Sequence, residues 1–182
     1  MFLKKSSLCS AHRFILPALV AVLLGPPLAA AQDEPQGAAG DAPDSEITRF
    51  EDWGVECRQP PSEETKRCIM FQRQVLEDGR TLLVLTVRKA PDDRPPLAIL
   101  QLPLGVLLEP GVSLSVDGGE PRELRYRLCD EGGCIVTFLL DEALQNAFRQ
   151  GQNARVVVVT ADQRRVNVDV SLSGFTAAFN AL

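Results

Sequence analysis

The residues with most chemistry to offer are five cysteines and one histidine, and where they fall separates catalysis from scaffolding. Residues 1–31 read as a removable export leader, which takes Cys9 and the only histidine, His12, with it. Cys57, Cys68, Cys129 and Cys134 remain, an even set in an exported chain, where disulfides form and persist. A mature chain without imidazole lacks the commonest general base, the usual partner of a Ser or Cys nucleophile, and the commonest metal ligand. This points away from most enzymes and towards a disulfide-stapled structural or binding domain, with no catalytic residue, cofactor or metal implied.

Four cysteines allow three connectivities. Cys129 and Cys134 flank a four-residue loop containing Gly132 and Gly133, a spacing that brings two Cβ atoms together across a hairpin. Cys57 and Cys68 flank Arg58 to Arg67, where Pro60 and Pro61 can turn the chain back. The spacing favours 57–68 with 129–134, both as staples. A redox role for Cys129-x4-Cys134 competes with this, but thiol oxidoreductases use C-x-x-C, and an oxidising compartment works against a four-cysteine zinc site.

Other candidates are weaker. Asp130 and Glu131 could act as paired carboxylates in glycoside hydrolysis or calcium binding, although adjacent acids at a hairpin tip usually form a solvated turn. Arg125 with Arg127, and Arg164 with Arg165, could dock an anionic sugar or lipid headgroup; the plainer reading is solvated strand and loop charge. Trp53, the only tryptophan, and Tyr126, the only tyrosine, sit on apolar strand faces where packing outranks ligand stacking, Trp53 against a disulfide.

The leader has a basic start at Lys4, Lys5 and Arg13, a short apolar run from Phe14 to Leu24, and a cleavage site at Ala29-Ala30-Ala31. Residues 32–46 (QDEPQGAAGDAPDSE) are acidic and rich in Pro, Gly and Ala, and read as a flexible tether to a domain spanning 47–182. The whole chain has 19 basic and 24 acidic residues; the leader holds three of the basic ones, so the mature chain carries a formal charge of −8. That balance, with no long basic block, repels phosphate backbones and anionic lipid and argues against nucleic acid as a partner. No later apolar run reaches membrane-spanning length, which leaves the mature chain without a transmembrane segment.

The elements that must position these residues are short strands. Period-two patterns run over Trp53 to Cys57, Cys68 to Val75, Thr81 to Arg88, Leu97 to Leu102, Val112 to Val116, Arg122 to Leu128, Cys134 to Leu140, Arg155 to Thr160 and Val166 to Leu172. In the sixth, Leu124, Tyr126 and Leu128 share the apolar face. Eight or nine strands in one domain predict a mostly β sandwich. One helix interrupts it: Asp141 is its N-cap, Leu144 and Phe148 share a face, and Gly151 ends it. A second helical turn follows Gly174, with Phe175 and Phe179 as core plugs.

The order Trp53-Gly54-Val55-x-Cys57, Cys68, Leu102-Pro103-Leu104-Gly105-Val106, Pro110-Gly111-Val112, Cys129, Gly133-Cys134 and Ser171-Leu172-x-Gly174-Phe175-x-Ala177-Ala178 resembles the invasion-associated locus B family of Gram-negative envelope proteins. The resemblance covers Phe50 to Leu182. It implies an immunoglobulin-like β-sandwich with two disulfides and one or two short helices, exported to the periplasm or, alternatively, to the outer membrane or medium. It attaches no catalytic residue. The expected function is a non-enzymatic envelope or secreted binding module contributing to host-cell interaction, its partner an envelope or host-surface protein or glycan. The alternatives are a carboxylate-based hydrolase of envelope carbohydrate and a periplasmic chaperone working through an open sheet edge.

Overall fold

Period-two alternation of aliphatic residues builds two antiparallel sheets that close on a single core. A computed structural model of the chain describes residues 46–60, 65–91 and 94–182. The leader read over 1–31 lies outside the described residues, as does the tether except for Glu46.

In chain order the strands are β1 (Glu46–Phe50), β2 (Trp53–Arg58), β3 (Arg67–Val75), β4 (Thr81–Arg88), β5 (Leu97–Leu102), β6 (Val112–Val116) and β7 (Arg122–Leu124). They continue with β8 (Tyr126–Asp130), β9 (Gly133–Leu139), helix α1 (Glu142–Gln150), β10 (Asn153–Val159), β11 (Arg165–Ser171) and helix α2 (Phe175–Asn180). The larger sheet has seven strands in the order β1-β2-β3-β4-β5-β9-β8, and the smaller has four in the order β11-β10-β6-β7. The fold is mostly β, as the patterning predicts.

Two differences from the sequence reading have physical causes. β1 carries no strand signal in the sequence, because Glu-Ile-Thr-Arg-Phe is an edge strand with largely exposed side chains and so shows no apolar alternation. The alternating run Arg122 to Leu128 is also two strands. The chain leaves the small sheet after Leu124, breaks at Arg125, and enters the large sheet at Tyr126. A bulge between Tyr126 and Leu128 then turns Leu128 outward, where it is 47% exposed, so Leu128 does not share the apolar face of Leu124 and Tyr126.

Both helices follow local signals. The Asp141 carboxylate accepts the Leu144 N–H at 2.9 Å, and Leu144 and Phe148 are buried one turn apart. Phe175 is the hub of an aromatic cluster. Its ring meets Trp53 edge-on at 5.3 Å and Phe148 edge-on at 5.2 Å, and stacks on Phe179 at 5.6 Å. Such pairs are worth about 0.5–1.5 kcal/mol each beyond the area they bury, and these tie β2, α1 and α2 together. Trp53 is fully buried as expected, with Phe175 as its ring partner and the Ser171 carbonyl accepting its indole N–H at 3.0 Å.

Candidate functional site

The cysteines lie on two hairpins of the large sheet, Cys134 buried, Cys57 and Cys68 half-buried, and Cys129 exposed on the edge strand. Cys57 and Cys68 are direct cross-strand partners on β2 and β3, bonded with Cα atoms 4.1 Å apart. Cys129 and Cys134 are partners on β8 and β9, bonded with Cα atoms 4.0 Å apart. Of the three connectivities, the structure therefore has 57–68 with 129–134. The second hairpin is tighter than a four-residue loop, because Asp130 and Gly133 pair and only Glu131 and Gly132 turn. Gly133 has φ 126°, and a Cβ there would lie 2.3 Å from the Leu102 carbonyl oxygen. That explains a glycine directly before Cys134.

The acids at this tip have structural work. The Asp130 carboxylate accepts the Gly132 N–H at 2.8 Å, closing its own turn. Glu131 lines an open cleft of about 460 Å³ with Arg73, Gln101 and Leu104. The arginines singled out in the sequence do not converge. Arg125 and Arg127 are exposed around the β7–β8 break, and Arg164 is hydrogen-bonded to Asp162 within the β10–β11 turn.

Electrostatic shifts run away from neutral pH. Asp162 is held below the usual carboxylate range by the Thr160 hydroxyl and then by Arg164. Asp169 is lowered by the Arg155 guanidinium, Asp141 by the Leu144 N–H and then Arg122, and Asp78 by the Arg80 N–H and side chain. Tyr126 moves the other way: burial raises its phenol, and its hydroxyl has no hydrogen-bond partner among the described residues. Among the described residues, no group of three His, Cys, Asp or Glu side chains is placed to hold a metal ion. Among them, too, no helix is long and apolar enough to cross a membrane.

One residue with a structural role escaped the sequence reading. Gln72, buried on β3, bonds the backbone of Ser171 on β11 and so joins the two sheets. The only available signal was a polar residue at an inward position of an apolar strand.

The family model described as "Invasion associated locus B (IalB) protein" matches residues 53–182. An invasion protein B homolog of Brucella abortus (strain 2308) is 27% identical over 135 residues, spanning 73% of this chain and 76% of that protein. Invasion protein B of Bartonella bacilliformis is 28% identical over 134 residues, 71% of this chain and 70% of the relative. The crystal structure of invasion associated protein B from Bartonella henselae superposes with a TM-score of 0.67 at 26% identity, covering 75% of this chain and 94% of that one. The matched span begins at the buried Trp53 and runs through both stapled hairpins to the Phe175 cluster at the C-terminus, and on that ground the chain belongs to the invasion-associated locus B family.

Proposed function

We propose that the chain is an exported, non-enzymatic binding module of the bacterial envelope that contributes to host-cell interaction. The observation that carries this reading is the match of residues 53–182 to the invasion-associated locus B family, and the titration shifts run the same way. General acid–base catalysis at neutral pH needs a group tuned towards 7. Here the shifted carboxylates go down, because each is hydrogen-bonded, and the one tyrosine goes up. The relatives named invasion proteins support the host-interaction part, and the paired cysteines support export to an oxidising compartment, the periplasm first.

The test is a panel of glycan, peptide and ester substrates offered to the disulfide-intact protein and to its Asp130→Asn, Glu131→Gln double variant. Equal background from both is the expected result. Turnover by the parent that the double variant abolishes would replace the binding module with a carboxylate hydrolase.

A further inference from the structure

An open cleft lies on the outer face of the large sheet, beside the β8–β9 hairpin tip. Its floor is a register row: Arg73 on β3, Val84 on β4 and Gln101 on β5 are successive cross-strand partners. Met70 and Gln72 are buried, so Arg73 and the residues in register with it point outward. Neighbouring strands stand about 4.8 Å apart, which sets the backbones of Arg73 and Gln101 about 10 Å from each other with Val84 between them. Glu131 and Gly132 of the hairpin tip make the wall beside Gln101, and Leu104, 57% exposed just beyond β5, forms the rim. The cleft encloses about 460 Å³, within the range of about 300–1,000 Å³ common to small-molecule sites.

The hairpin tip is fixed from two directions. From the cleft floor, Gln101 Nε2 donates to the Gly132 carbonyl at 2.8 Å; from the tip itself, the Gly132 N–H donates to the Asp130 carboxylate at 2.8 Å. A wall held this way loses little freedom when an occupant arrives. The charged groups on either side are left over. Among the described residues Glu131 has no ion-pair or hydrogen-bond partner, and Arg73 donates only to the Thr81 hydroxyl at 3.4 Å.

The two sides of the cleft ask opposite things of an occupant. A guanidinium only donates, a carboxylate only accepts, and the Gln101 side-chain oxygen is an acceptor that its amide bond to Gly132 leaves open. A net anion is repelled by Glu131 and a net cation by Arg73, and the acidic balance of the chain repels anionic polymers as a whole. A hydroxyl both donates and accepts, and two neighbouring hydroxyls match the fork of Arg73. We propose that this cleft binds an uncharged saccharide segment, whose hydroxyls accept from Arg73 and donate to Glu131 and Gln101 while its C–H face lies on Val84 and Leu104. This ligand class deepens the binding-module reading and rests on it. An extended peptide also carries donors and acceptors, but it fits worse. The backbone groups of the floor are already paired in the β3–β4, β4–β5 and β5–β9 ladders, so the cleft offers it no strand edge.

The test offers the periplasm-purified, disulfide-intact protein a printed array of neutral hexose and N-acetylhexosamine oligosaccharides beside uronate- and sialate-bearing ones. The neutral oligosaccharide bound best is then titrated with amide-resolved NMR. Binding is expected to favour the neutral probes, with shifts centred on Arg73, Gln101 and Glu131. Arg73→Ala and Glu131→Ala should each raise Kd roughly tenfold or more, the effect of losing a hydrogen bond to a charged group. Arg73→Lys should weaken binding nearly as much, because it keeps the charge and loses the fork. Glu131→Gln should weaken it less than Glu131→Ala, because an acceptor remains. Arg125→Gln alters an arginine outside the cleft and should leave binding intact. All of these residues are exposed, and unchanged thermal melting verifies the folds of the variants. No binding to neutral probes, a preference for the acidic ones, or unchanged affinity in the cleft variants overturns the inference. So does a peptide library that shifts the cleft amides where no sugar does. A protein partner crosslinked from the native envelope, with no glycan bound, overturns the saccharide and keeps the module reading; cleavage of a bound oligosaccharide, read by mass spectrometry, overturns that reading itself.

Discussion

Gln72 on β3 treats Ser171 on β11 as a strand partner: its Oε1 accepts the Ser171 N–H at 3.0 Å and its Nε2 donates to the Ser171 carbonyl at 2.8 Å. β11 is the edge of the small sheet, so a side-chain amide from the other sheet satisfies backbone groups that no strand reaches. The Trp53 indole N–H donates to the same carbonyl at 3.0 Å. Replacing Gln72 with Leu leaves the Ser171 N–H without this acceptor and should cost about 1–3 kcal/mol in urea unfolding. Gln72→Glu should be worse than Leu near neutral pH, because it buries a carboxylate that cannot donate to the carbonyl.

Both disulfides should act on stability. The bridges close sequence separations of 11 and 5 residues, for which chain entropy gives about 2.8 and about 2.1 kcal/mol respectively. Cys57→Ser with Cys68→Ser is therefore expected to lower the melting temperature more than Cys129→Ser with Cys134→Ser. Binding measured well below either melting temperature should persist in both. Lost binding at unchanged stability in the second variant would indicate a redox role for that bridge.

Gly174 should tolerate no side chain. It has φ 83°, and a Cβ would lie 2.0 Å from the Phe50 carbonyl oxygen. Because it also begins the helix carrying Phe175, Gly174→Ala should cost more than about 1 kcal/mol in chemical denaturation and reduce the tryptophan burial reported by fluorescence.

Acid should weaken the fold below the carboxylate range, and alkali only where Tyr126 ionises. Asp78, Asp141, Asp162 and Asp169 have lowered pKa values, so the stability they contribute is full above the ordinary carboxylate value and is lost as pH falls through the lowered ones. Tyr126 is raised, so its contribution is full below about 10 and lost only as pH rises through its higher folded value. Melting temperature against pH should be flat through neutrality and drop below about 4. Asp141→Ala removes the α1 cap and the Arg122 ion pair; it should cost about 1 kcal/mol at pH 7 and show a shallower acid drop than the parent. Phenolate absorbance should report Tyr126 ionising above its usual range.

The features legible along the chain are those that short-range physics controls. Asp141, Leu144, Phe148 and Gly151 specify α1 because capping and one-turn spacing involve neighbours along the chain. Cys129 and Cys134 specify their bridge because a tight hairpin sets them opposite each other. The strand periods were legible for the same reason. The remaining features depend on contacts between distant segments. Alternation continues unbroken through Arg125, yet the chain changes sheets there, because two edges compete for one segment and the periodicity is the same on either. Gln72 finds Ser171 only once the sheets stack. Arg49, Arg73 and Arg88 are scattered in sequence, and it is strand register, fixed by hydrogen bonding between distant segments, that sets all three on the outer face of the large sheet.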